Sequence, residues 1–123
     1  VILVDTSIWV DHLRKGDRIM QRLLDEGRVL SHPLVIGELA MGDLHPRQAI
    51  LKFLHTLPPA TTADHAEALR FVSQHKLYGI GIGYIDAHLI AAVRLTQGAT
   101  LWTRDKRLAK AAEALAVGYI LAP

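Results

Sequence analysis

Apolar residues open the chain as an unbroken run, Val1–Val4, that stops at Asp5. That pattern predicts a strand buried on both faces and ending in a polar turn. Ile8–Arg14 reads as a short helix, and Asp17–Glu26 as a second that carries Ile19, Met20, Leu23 and Leu24 on one face and stops at Gly27. Arg28–Ser31 predicts a second strand. Proline is tolerated at a first helical position, so Pro33–Met41 reads as a mostly apolar helix closed by Gly42. Arg47–Thr56 is amphipathic, with Ile50, Leu51, Phe53 and Leu54, and Pro58-Pro59 breaks it. Ala60–Ala63 is a candidate third strand, and Asp64 can cap a helix running to about Lys76. Leu77–Gly83 has glycines at alternate positions and reads as a loop. Tyr84–Thr96 has the strongest helical pattern and is closed by Gly98. Thr100–Thr103 predicts a strand, Asp105–Leu115 a helix and Gly118–Leu121 a last strand. Alternating β and α elements imply an α/β layer fold with a largely parallel sheet.

Composition narrows the class. Half of the 123 residues are apolar and 21% are charged, so a packed core is expected rather than disorder. The length suits one domain, taken as residues 1–123. With no cysteine, disulfides, thiolate metal sites and cysteine nucleophiles are excluded together, and a reducing cytoplasm is the expected location. No apolar run reaches the roughly 18 residues of a membrane span. The opening run lacks a basic flank and a cleavage site, and so reads as strand rather than signal peptide.

The net charge of +2 says little alone. If four of the 12 acids gather in one site, eight remain elsewhere against 14 basic residues. A basic surface around an acidic pocket suits a polyanion bound through metal ions.

In open α/β sheets the ligand site lies beyond the carboxyl ends of the strands. Asp5 ends the first predicted strand, Asp105 follows Thr100–Thr103, and Asp86 falls in the first turn of the Tyr84 helix. Each of these three also has an ordinary explanation as a cap or first-turn acid. Glu38 differs, because Leu34, Val35, Ile36, Leu39, Ala40 and Met41 surround it in sequence. A carboxylate buried among them needs a partner, either a metal ion or an arginine such as Arg14 or Arg104. Four carboxylates facing one pocket repel each other, and divalent cations turn that repulsion into binding. Oxygen ligands without cysteine point to Mg²⁺ or Mn²⁺ rather than Zn²⁺. None of the seven histidines forms an H-x-x-x-H or H-E-x-x-H pattern, and His88 is the one near the proposed site.

Four blocks then carry a family resemblance: VILVDTSIWVDHLR at 1–14, GELAMG at 37–42, GYIDAHLIAA at 83–92 and LWTRDKRL at 101–108. In that order, across nearly the whole chain, they resemble PIN-domain nucleases, in particular the VapC toxins of toxin–antitoxin pairs. The resemblance implies a three-layer α/β/α domain with a central, mostly parallel sheet, and metal-dependent endoribonuclease activity. It implies that Asp5, Glu38, Asp86 and Asp105 fill the acidic metal-binding positions. A hydroxyl of Thr6, Ser7 or Thr103 would help to hold carboxylates or water, though all three also suit capping. The resemblance further implies a homodimer and a cognate antitoxin whose tail covers the acidic groove, with an Arg or Lys replacing a metal ion there. The Arg47–Thr56 helix is either interface or core.

Arg104, Lys106, Arg107 and Lys110 crowd around Asp105 and either grip RNA phosphates or form a solvated basic face. Arg14 and Lys15 are further candidates. Trp9, Trp102 and the tyrosines lie in apolar runs and read as core. Two other readings stand beside the nuclease. A phosphatase with an Asp nucleophile calls for D-x-D after the first strand, where this chain has Ser7. A non-catalytic PIN-like module that binds RNA or protein would be expected to have lost an acid, and this chain has not.

Overall fold

The computed structural model describes residues 1–120. Its order is β1 (Ile2–Val4), α1 (Thr6–Lys15), α2 (Arg18–Asp25), β2 (Val29–Leu30), α3 (Pro33–Ala40), α4 (Arg47–Thr56), α5 (His65–His75), α6 (Tyr84–Leu95), β3 (Thr100–Trp102) and α7 (Lys106–Ala114). The strands form a parallel sheet in the order β2-β1-β3. Ile2 lies beside Val29 and Thr100, and Val4 beside Trp102. The first strand of the chain is therefore the central one. All three of its residues are essentially inaccessible to water, as its unbroken apolar run requires. Helices cover both faces in the three-layer α/β/α arrangement, with Ile8, Trp9, Met20, Leu23, Leu89 and Ile90 among the buried residues.

Local chemistry sets several boundaries. Asp5 caps α1 by accepting from the Thr6 N–H, so that helix starts at Thr6 and not at Ile8. Asp64 and Glu67 form a reciprocal capping box that starts α5. Pro46 precedes α4 and Leu57 follows it, matching the predicted bounds. Gly79 and Gly81 have φ of 70° and 86°, so the loop before α6 uses the backbone freedom of glycine.

Two expected strands are reduced. Ala60–Ala63 is not a strand; one bridge joins Ser31 to Pro59, and Ala60 donates to the Ser31 carbonyl. Pro58 and Pro59 have no N–H to offer a longer ladder. At the other edge a single bridge joins Leu101 to Gly118, and Leu121 lies outside the described residues. The tryptophans are buried as expected. Tyr78 and Tyr84 are not, at 63% and 47% exposure, because they flank the glycine loop on the surface. Among the described residues no helix is long and apolar enough to cross a membrane.

Candidate active site

The carboxyl ends of β1 and β3 point the same way because the strands are parallel. Asp5 continues the ladder by donating its N–H to the Trp102 carbonyl at 2.9 Å. Both of its carboxylate oxygens are held, Oδ1 by the Thr6 N–H at 2.8 Å and Oδ2 by the Thr103 hydroxyl at 2.7 Å. The same hydroxyl accepts from the Asp105 N–H at 3.0 Å. Thr103 therefore ties together the two acids that close the central strand pair. Asp105 caps α7, with Oδ1 accepting from the Arg107 and Leu108 N–H groups at 2.9 and 3.0 Å. Its Oδ2 has no donor among the described residues.

Asp86 sits in the first turn of α6, where its Oδ2 accepts from the Gly83 N–H at 3.0 Å. This is the one half of a capping box available when the cap residue is glycine. Burial pushes its carboxyl above the ordinary carboxylate range. The Gly83 N–H opposes that shift, and the charges of Asp5, Asp105 and Glu38 add to it. All four predicted acids thus act in one electrostatic field. Glu38 reaches it from α3, where the Thr6 hydroxyl donates to its Oε1 at 2.7 Å.

The capping and cluster readings of the aspartates prove compatible. In Asp86 and Asp105 one oxygen caps a helix and the other stays open to the site. Glu38 corrects the expectation of burial, because it is exposed. Its apolar sequence neighbours are spread round the helix, and Val35 and Leu39 take the core-facing side. Ser7 is exposed and is not brought to any of the four acids. Thr6 and Thr103 are.

None of the four acids forms an ion pair with Arg, Lys or His among the described residues. Arg104, once a candidate partner for Glu38, instead pairs with Asp11 and with Asp17, the latter at 3.0 Å. Uncompensated, the acids stand apart: no three His, Asp or Glu among the described residues close into a metal-ligating group. The donor set itself, carboxylate oxygens with one free oxygen on at least two acids and no competing cation, fits a hard divalent ion.

Sequence reasoning missed His32. It is buried and caps α3, its Nδ1 accepting from the Leu34 N–H at 3.1 Å. That bond assigns the proton of the neutral ring to Nε2. Burial, and then the nearby His88, hold its pKa down to about 4. His88 is buried too and stacks edge-on against Tyr84, with ring centroids 4.6 Å apart. It lies two residues after Asp86, on another side of α6.

Comparison with known proteins agrees with this architecture. The PIN domain family model matches residues 2–114. Ribonuclease VapC32 of Mycobacterium tuberculosis, in strains CDC 1551 / Oshkosh and ATCC 25618 / H37Rv, is 46% identical over 108 residues. The match covers 88% of this chain and 87% of each relative.

Proposed function

We propose, since the chain belongs to the PIN-domain family, that it is a VapC-type endoribonuclease, the toxin of a toxin–antitoxin pair. In this reading residues 1–123 act as one nuclease domain, in the cytoplasm, with Mg²⁺ or Mn²⁺ as cofactor. The observation that carries it is that Asp5, Glu38, Asp86 and Asp105 share one field and none of them has a paired cation among the described residues.

Asp5, Glu38, Asp86 and Asp105 would hold the metal. When bound, the ion supplies a hydroxide nucleophile at neutral pH and neutralises charge that develops on the phosphodiester. The chain contributes alignment. Thr103 holds Asp5 and Asp105 in mutual register, and Thr6 holds Glu38. Burial and the charges of the other three acids raise the proton affinity of Asp86, so a bound cation would favour its charged form. Lys106, Arg107 and Lys110 sit at the start of α7 beside Asp105 and are exposed, placed to contact the RNA backbone. Arg104, expected from sequence to join them, pairs with Asp11 and Asp17 and braces the β3–α7 turn against α1 and the start of α2.

The antitoxin would use the groove next to Glu38. Val10, Leu13, Arg14, Leu39, Leu44 and Ile50 line a cavity of about 230 Å³ there. An apolar peptide segment could lie in it and send a basic side chain to the four acids. A homodimer belongs to the same proposal, and Phe53, Leu69 and Leu95 provide exposed apolar surface for it.

The test is cleavage of total RNA with Mn²⁺ or Mg²⁺, followed by analysis of the new ends. The expected result is metal-dependent cleavage, blocked by chelation, leaving 5′-phosphate and 3′-hydroxyl ends. Products ending in 2′,3′-cyclic phosphate would mean that the RNA's own 2′-hydroxyl is the nucleophile, and would overturn the mechanism.

A further inference from the structure

We propose that a cavity running along α7, between that helix, the end of α5 and the glycine loop, receives one unpaired base of the RNA. The proposal rests on the ribonuclease reading and specifies what form of RNA that site takes. The cavity measures about 380 Å³, within the range of small-ligand pockets. Leu77, Ile80, Ala111, Ala114 and Leu115 give it apolar lining. Lys76, Arg107 and Lys110 line it as well, with His75. None of these three cations has an acidic partner among the described residues.

Two features of the backbone shape this lining. Lys76 ends α5 in the left-handed conformation, at φ 54°, an unusual state for a residue with a side chain. Gly81 makes room for Arg107. A Cβ at that glycine would lie 2.6 Å from Arg107 Nη1 and 2.7 Å from its Cδ. Gly81 also has φ 86°, so both its conformation and the space beside it call for glycine. Arg107 in turn connects the two sites. Its backbone N–H bonds to Asp105 while its side chain lines the cavity.

Apolar lining interleaved with unpaired cations matches the chemistry of a nucleotide. The base has apolar faces to bury, and the nucleotide's phosphate supplies the negative charge that the three cations lack. In a duplex the bases stay stacked on each other, so a pocket of this kind selects single-stranded or looped RNA. Base recognition here needs no tryptophan, which explains how both can be in the core.

The experiment measures binding by fluorescence anisotropy, in EDTA so that nothing is cut. Three labelled probes of equal length are compared: oligouridylate, its duplex with oligoadenylate, and an abasic ribose-phosphate oligomer. The wild-type protein should bind oligouridylate about tenfold more tightly than either of the others. Ala114→Leu fills the cavity from an exposed helical position, and should remove the preference without lowering the melting temperature. Lys110→Gln should weaken binding of oligouridylate and the abasic oligomer alike, and reduce the slope of log affinity against log salt by about 0.7. Equal binding of oligouridylate and the abasic oligomer by wild type would overturn the proposal, as would a preference that survives Ala114→Leu. Tighter binding of the duplex would also overturn it, in favour of recognition by helix shape. A base preference that persists while no RNA is ever cleaved would sink the nuclease reading and leave the pocket standing.

Discussion

Two groups of acids lie close together in this fold and are treated in opposite ways. Asp11 and Asp17 share the guanidinium of Arg104. Asp5, Glu38, Asp86 and Asp105 share one field and have no cation among the described residues. The contrast is instructive because Arg104 is the residue immediately before Asp105. A cation was available beside the second group, and the fold turns it towards the first. Charge compensation inside the molecule stabilises the scaffold, while its omission at the strand ends leaves that site to be completed from outside.

Several measurements would break or sharpen that contrast. The largest effect is expected from Asp86→Asn, which keeps the shape and removes one charge from the open group. RNA cleavage should fall by more than about a hundredfold. Without metal, the variant's melting temperature should equal or exceed that of wild type, because repulsion and an unfavourably buried charge are both relieved. Mg²⁺ should then raise the melting temperature of wild type by several degrees and that of the variant by less. A variant that melts well below wild type in EDTA would show that the open group is structural after all.

Acid should distinguish the groups next. Protons weaken the fold through His32, which is held near pKa 4 when folded against an ordinary 6.5. Between those values the unfolded chain binds the proton and the folded one does not. Stability therefore falls as pH drops from about 6.5 through 4, by about 2 kcal/mol after allowance for solvent screening. His32→Asn keeps a capping side chain and should flatten that part of the curve in chemical denaturation. An unchanged slope would remove His32 from the account. The smallest effect belongs to the compensated group. Arg104→Gln leaves Asp11 and Asp17 near water, so urea denaturation should report a loss of about 1 kcal/mol or less. Cleavage should stay within about threefold of wild type. A much larger loss of activity would place Arg104 on the substrate instead.

What could be read from the chain divides along physical lines. Prolines bracket α4 in sequence, so its limits were legible, as was the Asp64 cap that begins α5. Asp5, Asp86 and Asp105 could be named because strand ends and first turns are local features, and Glu38 because it is an acid among apolar neighbours. Their lack of a partner could not be. Arg104 meets its acids across 93 and 87 residues, and no local pattern predicts such a pairing. Glu38 was placed in the core because its neighbours along the chain are apolar, yet a helix sends neighbours to different faces. The edge strands shrank to single bridges, since strand length at an edge depends on the partner's backbone donors. His32 escaped notice because histidine is an uncommon helix cap, and its burial depends on tertiary packing.

The Thr103 hydroxyl that joins Asp5 to Asp105 also sets a schedule. The centre of the sheet is the first segment to be synthesised, but β3 and the acid after it come from the last quarter of the chain. Until those residues are made, Asp5 has neither its hydroxyl partner nor Asp105 beside it. In the proposed reading, the four acids can gather only once Thr100–Asp105 has been made and docked beside β1.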